Sequence, residues 1–156
     1  MSEQISIKNI EPVRVAYRSY QGDVRSAGKL MPSIFKAIRG RNTGAPFFCI
    51  YKTDPKTKIG EVELCVPTAE QPAAADVGIK TFPQMRALSL IHKGSYDTLA
   101  AAYKQLSVYI QKNDLTVTGA CREVYIKGPG ALFKGNPAGY ITEILMPVVW
   151  EEQEDD

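Results

Sequence analysis

Two strand-like segments set a glutamate among aliphatic neighbours. In Tyr140-Ile141-Thr142-Glu143-Ile144-Leu145-Met146-Pro147, the two-residue period of a strand puts Glu143 on one face with Ile141 and Leu145. In Val62-Glu63-Leu64-Cys65-Val66-Pro67, Glu63 shares a face with Glu61 and Cys65, a more polar set suited to meeting solvent. An ionised carboxylate in apolar surroundings is costly unless a charge or hydrogen-bond donors compensate it. A chain that keeps one there has a candidate for holding a cation or for acid–base chemistry. Two readings of Glu143 stand side by side: a working carboxylate, or one satisfied by Arg86, Arg122 or solvent.

Tyrosines supply the second half of such a site, since their rings attract cations and their hydroxyls hydrogen-bond. Tyr17, Tyr20, Tyr51, Tyr96, Tyr103, Tyr125 and Tyr140 are spread over segments that would meet in space. Glu123 and Tyr125 share a strand face, and Tyr51 aligns near Tyr125 in the repeat described below. The candidate ligand-binding residues are therefore Glu143, Tyr125, Tyr51, Glu123, Tyr17 and Leu145. For catalysis they are Glu143 as general base and Tyr125, or Tyr51, as the group that orients a substrate. His92 is the single histidine, which excludes a histidine-rich metal site. No P-loop or G-x-G-x-x-G fingerprint occurs, and no metal or cofactor is expected.

The elements that must position these residues fall into a repeat. Val13 to Tyr20 and Arg86 to Ile91 read as strands, each soon followed by a glycine and then a helix. In the second helix Leu99, Ala102, Tyr103, Leu106, Tyr109 and Ile110 recur at helical spacing, with Ser95 or Asp97 to start it and Asn113-Asp114 to end it. In the first, Leu30, Ile34, Phe35 and Ile38 form the stripe, and Pro32 calls for a start near Met31. Thr43-Gly44-Ala45 then parallels Thr118-Gly119-Ala120, and both lead into strands. Each half closes on a strand with glutamate and proline in the same places, at Glu63 and Pro67 and at Glu143 and Pro147.

The expected fold is α+β: two pseudo-repeated β-α-β-β units with antiparallel sheets, helices on one face and a ligand cleft between the halves. Residues 1–150 form one domain, with repeats at about 5–68 and 80–150 and an acidic tail at 151–156. Loop 128–139, rich in glycine and proline, would be mobile.

Composition supports a globular chain: 156 residues, 44% hydrophobic and 23% charged. No run is long enough to cross a membrane, and the N-terminus has no secretory pattern, so a cytoplasmic location is expected. Cys49, Cys65 and Cys121 are too few and too separated for a C-x-x-C pair and read as small buried residues. Net charge is +2, with carboxylates concentrated in the last six residues and no basic stripe for nucleic acid.

With the repeat and its glutamates in place, the chain resembles the GyrI-like family from Ile5 to Trp150. The resemblance rests most on Arg122-Glu123-Val124-Tyr125-Ile126 and on Tyr140 to Val148, with matching pieces at Pro46 to Tyr51 and Val62 to Pro67. It implies a duplicated fold that also serves as the effector-binding domain of AraC-type and MerR-type multidrug regulators. It implies small organic molecules, often cationic and aromatic, as partners in a cleft where Glu143 stands at the family's acidic position in the last strand. Two further readings come with it: a hydrolase that opens strained electrophilic rings in the same pocket, and a protein that binds DNA gyrase. No helix-turn-helix is apparent, so direct DNA binding is not expected.

Overall fold

The computed structural model describes residues 4–127 and 139–150. The expectations for residues 128–138 and for the tail at 151–156 fall outside the described residues. In chain order the elements are β1 (Ile5–Ile10), β2 (Val13–Asp23), α1 (Met31–Ala37), β3 (Phe47–Thr53), β4 (Ile59–Pro67), β5 (Gly78–Phe82), β6 (Met85–Lys93), α2 (Leu99–Lys112), β7 (Leu115–Val117), β8 (Cys121–Lys127) and β9 (Ile141–Trp150). All described strand pairs are antiparallel. No helix among the described residues is long and apolar enough to cross a membrane.

The expected sheets are in fact one sheet, in the order β1-β6-β9-β8-β3-β4-β2-β5, with β7 attached to β9. β3 and β8 pair directly and so fuse what the sequence pattern suggested as separate halves. The triple β6-β9-β8 on one side of that seam mirrors β2-β4-β3 on the other. Local features repeat across the seam too. Thr43 N–H donates to Pro67 O at 2.8 Å, and Thr118 N–H donates to Pro147 O at 3.0 Å. Gly44 and Gly119 each lie against a proline of a neighbouring strand, Pro67 at the end of β4 and Pro147 within β9. The shared Thr-Gly-Ala and the shared proline are thus two sides of one packing contact.

Strands β1 and β5 were not expected, and both reach across the seam. β1 precedes β2 in the chain but pairs with β6, and β5 precedes β6 but pairs with β2. Only Glu11-Pro12 separates β1 from β2, a link that spans about 10 Å at most. Six strand intervals separate β1 and β2 in the sheet order, about 29 Å if the sheet were flat. The sheet therefore curls into a half-barrel that brings its ends together. Arg122 on β8 and Phe82 on β5, four intervals apart, confirm which face is inside: the guanidinium carbon lies 4.6 Å from the ring centroid.

The outer face carries both helices. Under α1 the core consists of Ala16, Ile34, Ile38, Leu64 and Val66. Under α2 it consists of Leu88, Leu90, Leu99, Leu106 and Ile144. α1 has seven residues, too few to be stable alone, so its buried stripe holds it in place. Pro32 lies in its first turn, where a missing N–H costs nothing. α2 begins after a 3-10 turn, Tyr96–Thr98, and ends where Asn113 Nδ2 donates to Tyr109 O at 2.9 Å and Asp114 turns to a φ of 52°. The inner face has its own core of Val15, Phe47, Cys49 and Cys65, with no helix over it among the described residues. The cysteines are free thiols, two of them buried.

Candidate functional site

At the seam, Phe48 of β3 and Glu123 of β8 are directly opposed on the helix-bearing face. Alternation along β8 brings Tyr125 to that same face. The buried stripe of α2 lays Tyr103 over it, and the Tyr103 hydroxyl donates to Glu123 Oε2 in a short hydrogen bond. The Tyr125 hydroxyl donates to Glu123 Oε1 at 2.7 Å. Tyr125 also meets Phe48 edge-on, with centroids 5.0 Å apart, and Tyr96 at 5.7 Å. Tyr96 in turn lies 5.1 Å from Tyr140. One half-buried carboxylate is therefore surrounded by rings from β3, β8, α2 and the turn that starts it.

Electrostatics set this carboxylate apart. Among the described residues no lysine, arginine or histidine forms an ion pair with Glu123, and its hydrogen-bond partners are two phenols. Burial first, and the charge of neighbours including Glu123 second, raises the pKa of Tyr103 and Tyr125 above the ordinary phenol range. Tyr96 is pushed up to about 12, again by burial first, then by Tyr140 and Glu123. All three phenols stay protonated at neutral pH and remain hydrogen-bond donors. Next to Tyr125 in the β8–β9 register, Thr142 is fully buried, and its Oγ1 has no hydrogen-bond partner. His92, paired with Thr142 across β6 and β9, is buried with Nε2 2.7 Å from Thr98 Oγ1. An anionic centre with aromatic faces around it can receive a cation with an aromatic body.

The other candidates lie on the inner face. Glu143 is opposite Val124, one residue before Tyr125, so strand alternation separates Glu143 and Tyr125 onto opposite faces. Its Oε2 is 2.6 Å from Lys8 Nζ and accepts from Ser89 Oγ at 2.5 Å. The partner is a lysine from the unforeseen β1, rather than Arg86 or Arg122. Leu145, on the same inner face, is buried between Arg122 and Ser89 in register. Glu63 does not meet open solvent: Lys80 reaches both its oxygens, at 2.8 and 2.7 Å, and the Tyr51 hydroxyl donates to it at 2.7 Å. Tyr17 lies beneath the same Lys80, 4.6 Å from Nζ to the ring centroid.

Tyr51 is displaced from its expected alignment with Tyr125. Cys49 faces Glu63 as Val124 faces Glu143, so Tyr51 corresponds to Ile126. Both are bulge positions. The structure thus brings Glu123 and Tyr125 together and places Glu143, Leu145, Tyr17 and Tyr51 elsewhere. The sequence reading did not single out Phe48 or Thr142, and it gave Tyr103 no role beyond the tyrosine set and the helix stripe. The available signal was that stripe position, which aims Tyr103 at whichever strand lies beneath α2.

The family model for the GyrI-like small molecule binding domain matches residues 3–149. The crystal structure of the EcmrR C-terminal domain is similar with a TM-score of 0.82 and 28% identity, covering 96% of this chain and 99% of that one. Two others share the fold alone. SAV2435 bound to tetraphenylphosphonium has a TM-score of 0.61 at 16% identity, covering 99% of this chain and 98% of its own. A hydrolase from Listeria innocua has a TM-score of 0.66 at 12% identity, covering 94% and 92%. No curated protein matches the chain.

Proposed function

The chain belongs to the GyrI-like family of small molecule binding domains, and from that premise we propose that it holds amphipathic, cationic aromatic molecules against Glu123, in a cleft between two pseudo-repeated halves. One observation carries the proposal: Glu123 accepts from the Tyr103 and Tyr125 hydroxyls and has no counter-cation among the described residues. Glu63 and Glu143 each already have a lysine. A ligand cation at Glu123 would meet an unneutralised charge, with the rings of Phe48, Tyr96 and Tyr125 to stack against. The mirrored strand order supports a duplicated origin, and Glu123 at the seam would then stand next to the relating axis. The ion-pair roles of Glu143 and Glu63 are structural in this reading. The Listeria hydrolase shares the fold only and transfers no activity to this chain.

Tetraphenylphosphonium, the molecule bound by SAV2435, is a suitable probe. Glu123→Gln keeps the side chain's size and hydrogen-bonding capacity but removes its charge. It should weaken tetraphenylphosphonium binding by about tenfold to a hundredfold, as expected for losing a charged partner. Neutral triphenylphosphine oxide should lose about threefold or less. Calorimetric titration of both ligands against both proteins measures this. Equal losses for the cation and the neutral compound would remove the electrostatic role of Glu123.

A further inference from the structure

Arg122 lies on the inner face, opposite Cys49 of β3 and Leu145 of β9, and is 5% exposed. Its guanidinium carbon packs over two rings, 4.6 Å from the centroid of Phe82 and 5.3 Å from that of Phe47. The rings attract the charge but accept no conventional N–H bond. Among the described residues no carboxylate pairs with Arg122, and no hydrogen bond takes any of its donors. The two carboxylates of this face are committed, Glu63 to Lys80 and Tyr51, and Glu143 to Lys8 and Ser89.

The surrounding groups supply no negative charge either. Burial raises the pKa of Cys49, Cys65 and Tyr51, so all three are neutral at neutral pH. Arginine does not escape by losing its proton, since its pKa lies far above neutrality. The guanidinium is not wholly sealed. Thr142 Oγ1 is the one described buried side-chain polar atom sealed from solvent without a partner. The nitrogens of Arg122, which also lack one, therefore retain contact with solvent. Phe82, the more exposed of its two rings, is where a ligand would enter.

We propose that the inner face holds a second ligand site, for the carboxylate of a small organic acid with an aromatic or apolar body. The N–H edge of Arg122 matches a carboxylate in shape and charge, with two parallel bonds available. Phe47 and Phe82 take the body of the acid. The site is opposite in sign and face to the one at Glu123, so each stands or falls independently.

The experiment uses the full chain labelled with 15N and follows arginine Nε–H resonances. The resonance missing in Arg122→Lys identifies Arg122. Benzoate should shift it saturably, whereas benzamide, which has the same ring without the charge, should not. Benzoate should also raise the melting temperature of the wild type and fail to raise that of Arg122→Lys. A resonance unmoved at about 20 mM benzoate, weaker than millimolar affinity, would overturn the proposal. So would an equal response to benzamide, or a response to sulfate as strong as to benzoate. If Arg122→Lys fails to fold, the Arg122 resonance is identified instead as the arginine Nε–H signal that moves in Phe47→Leu, which removes the ring current acting on it, and the same titration decides.

Discussion

Glu123 and Glu143 sit on neighbouring strands and differ in what neutralises them. Two phenols donate to the first, while a lysine neutralises the second and a serine donates to it. The same substitution should therefore have different effects at the two positions. Glu143→Gln leaves Lys8 without its counter-charge and should lower stability by about 1–2 kcal/mol, as for a partly buried pair with a charged hydrogen bond. Binding of tetraphenylphosphonium should stay within about threefold of wild type, because Glu143 faces away from the phenols. Urea unfolding together with the titration separates the two effects. Binding lost at Glu143→Gln with stability unchanged would reverse the assignment. Sequence alone made each carboxylate visible, and its strand neighbours too. The choice between them was hidden because it depends on register: the pairing of Val124 with Glu143 sends Tyr125 to the other side.

At the scale of elements, the bulges matter as much as the strands. β3 breaks register with β4 between Ile50 and Lys52, and the backbone closes tightly there on Gly60. A Cβ on Gly60 would lie 2.1 Å from Lys52 O, a backbone atom that cannot swing aside. Gly60→Ala should therefore cost about 1–3 kcal/mol through forced separation of β3 and β4. A drop in melting temperature checks it, and a variant as stable as wild type would mean that the bulge relaxes freely. α2 was legible because its stripe is local, with Leu99, Ala102 and Leu106 all buried as the spacing required. The Thr-Gly-Ala and proline signals were legible for the same reason, since each marks a contact repeated in both halves. β1 and β5 were not. Their partners lie in the other half of the chain, and no local pattern records a pairing across that distance.

The molecule as a whole depends on protonated phenols at its seam. Tyr103 and Tyr125 have pKa values raised above the phenol's ordinary value near 10, so the folded state holds these protons more tightly than the unfolded state. Their contribution to stability is complete below about pH 10 and declines as pH rises beyond it. Absorbance at 295 nm should show some of the eight tyrosines ionising only as the fold is lost. Tyr103→Phe combined with Tyr125→Phe should shrink that late fraction. All tyrosines titrating together near pH 10 in the folded protein would contradict it. The exchange of β1 and β5 across the seam also has a consequence in time. Ile5 must wait for Leu90, and the outer edge of β2 stays open until β5 follows, so β1 is made long before the strand it pairs with. Non-local closures of this kind are slow to form and leave strands unpaired in the interim. A waiting strand needs protection from pairing with other chains, and charge is the usual guard. In β1 that charge is Lys8, the same lysine that later neutralises Glu143.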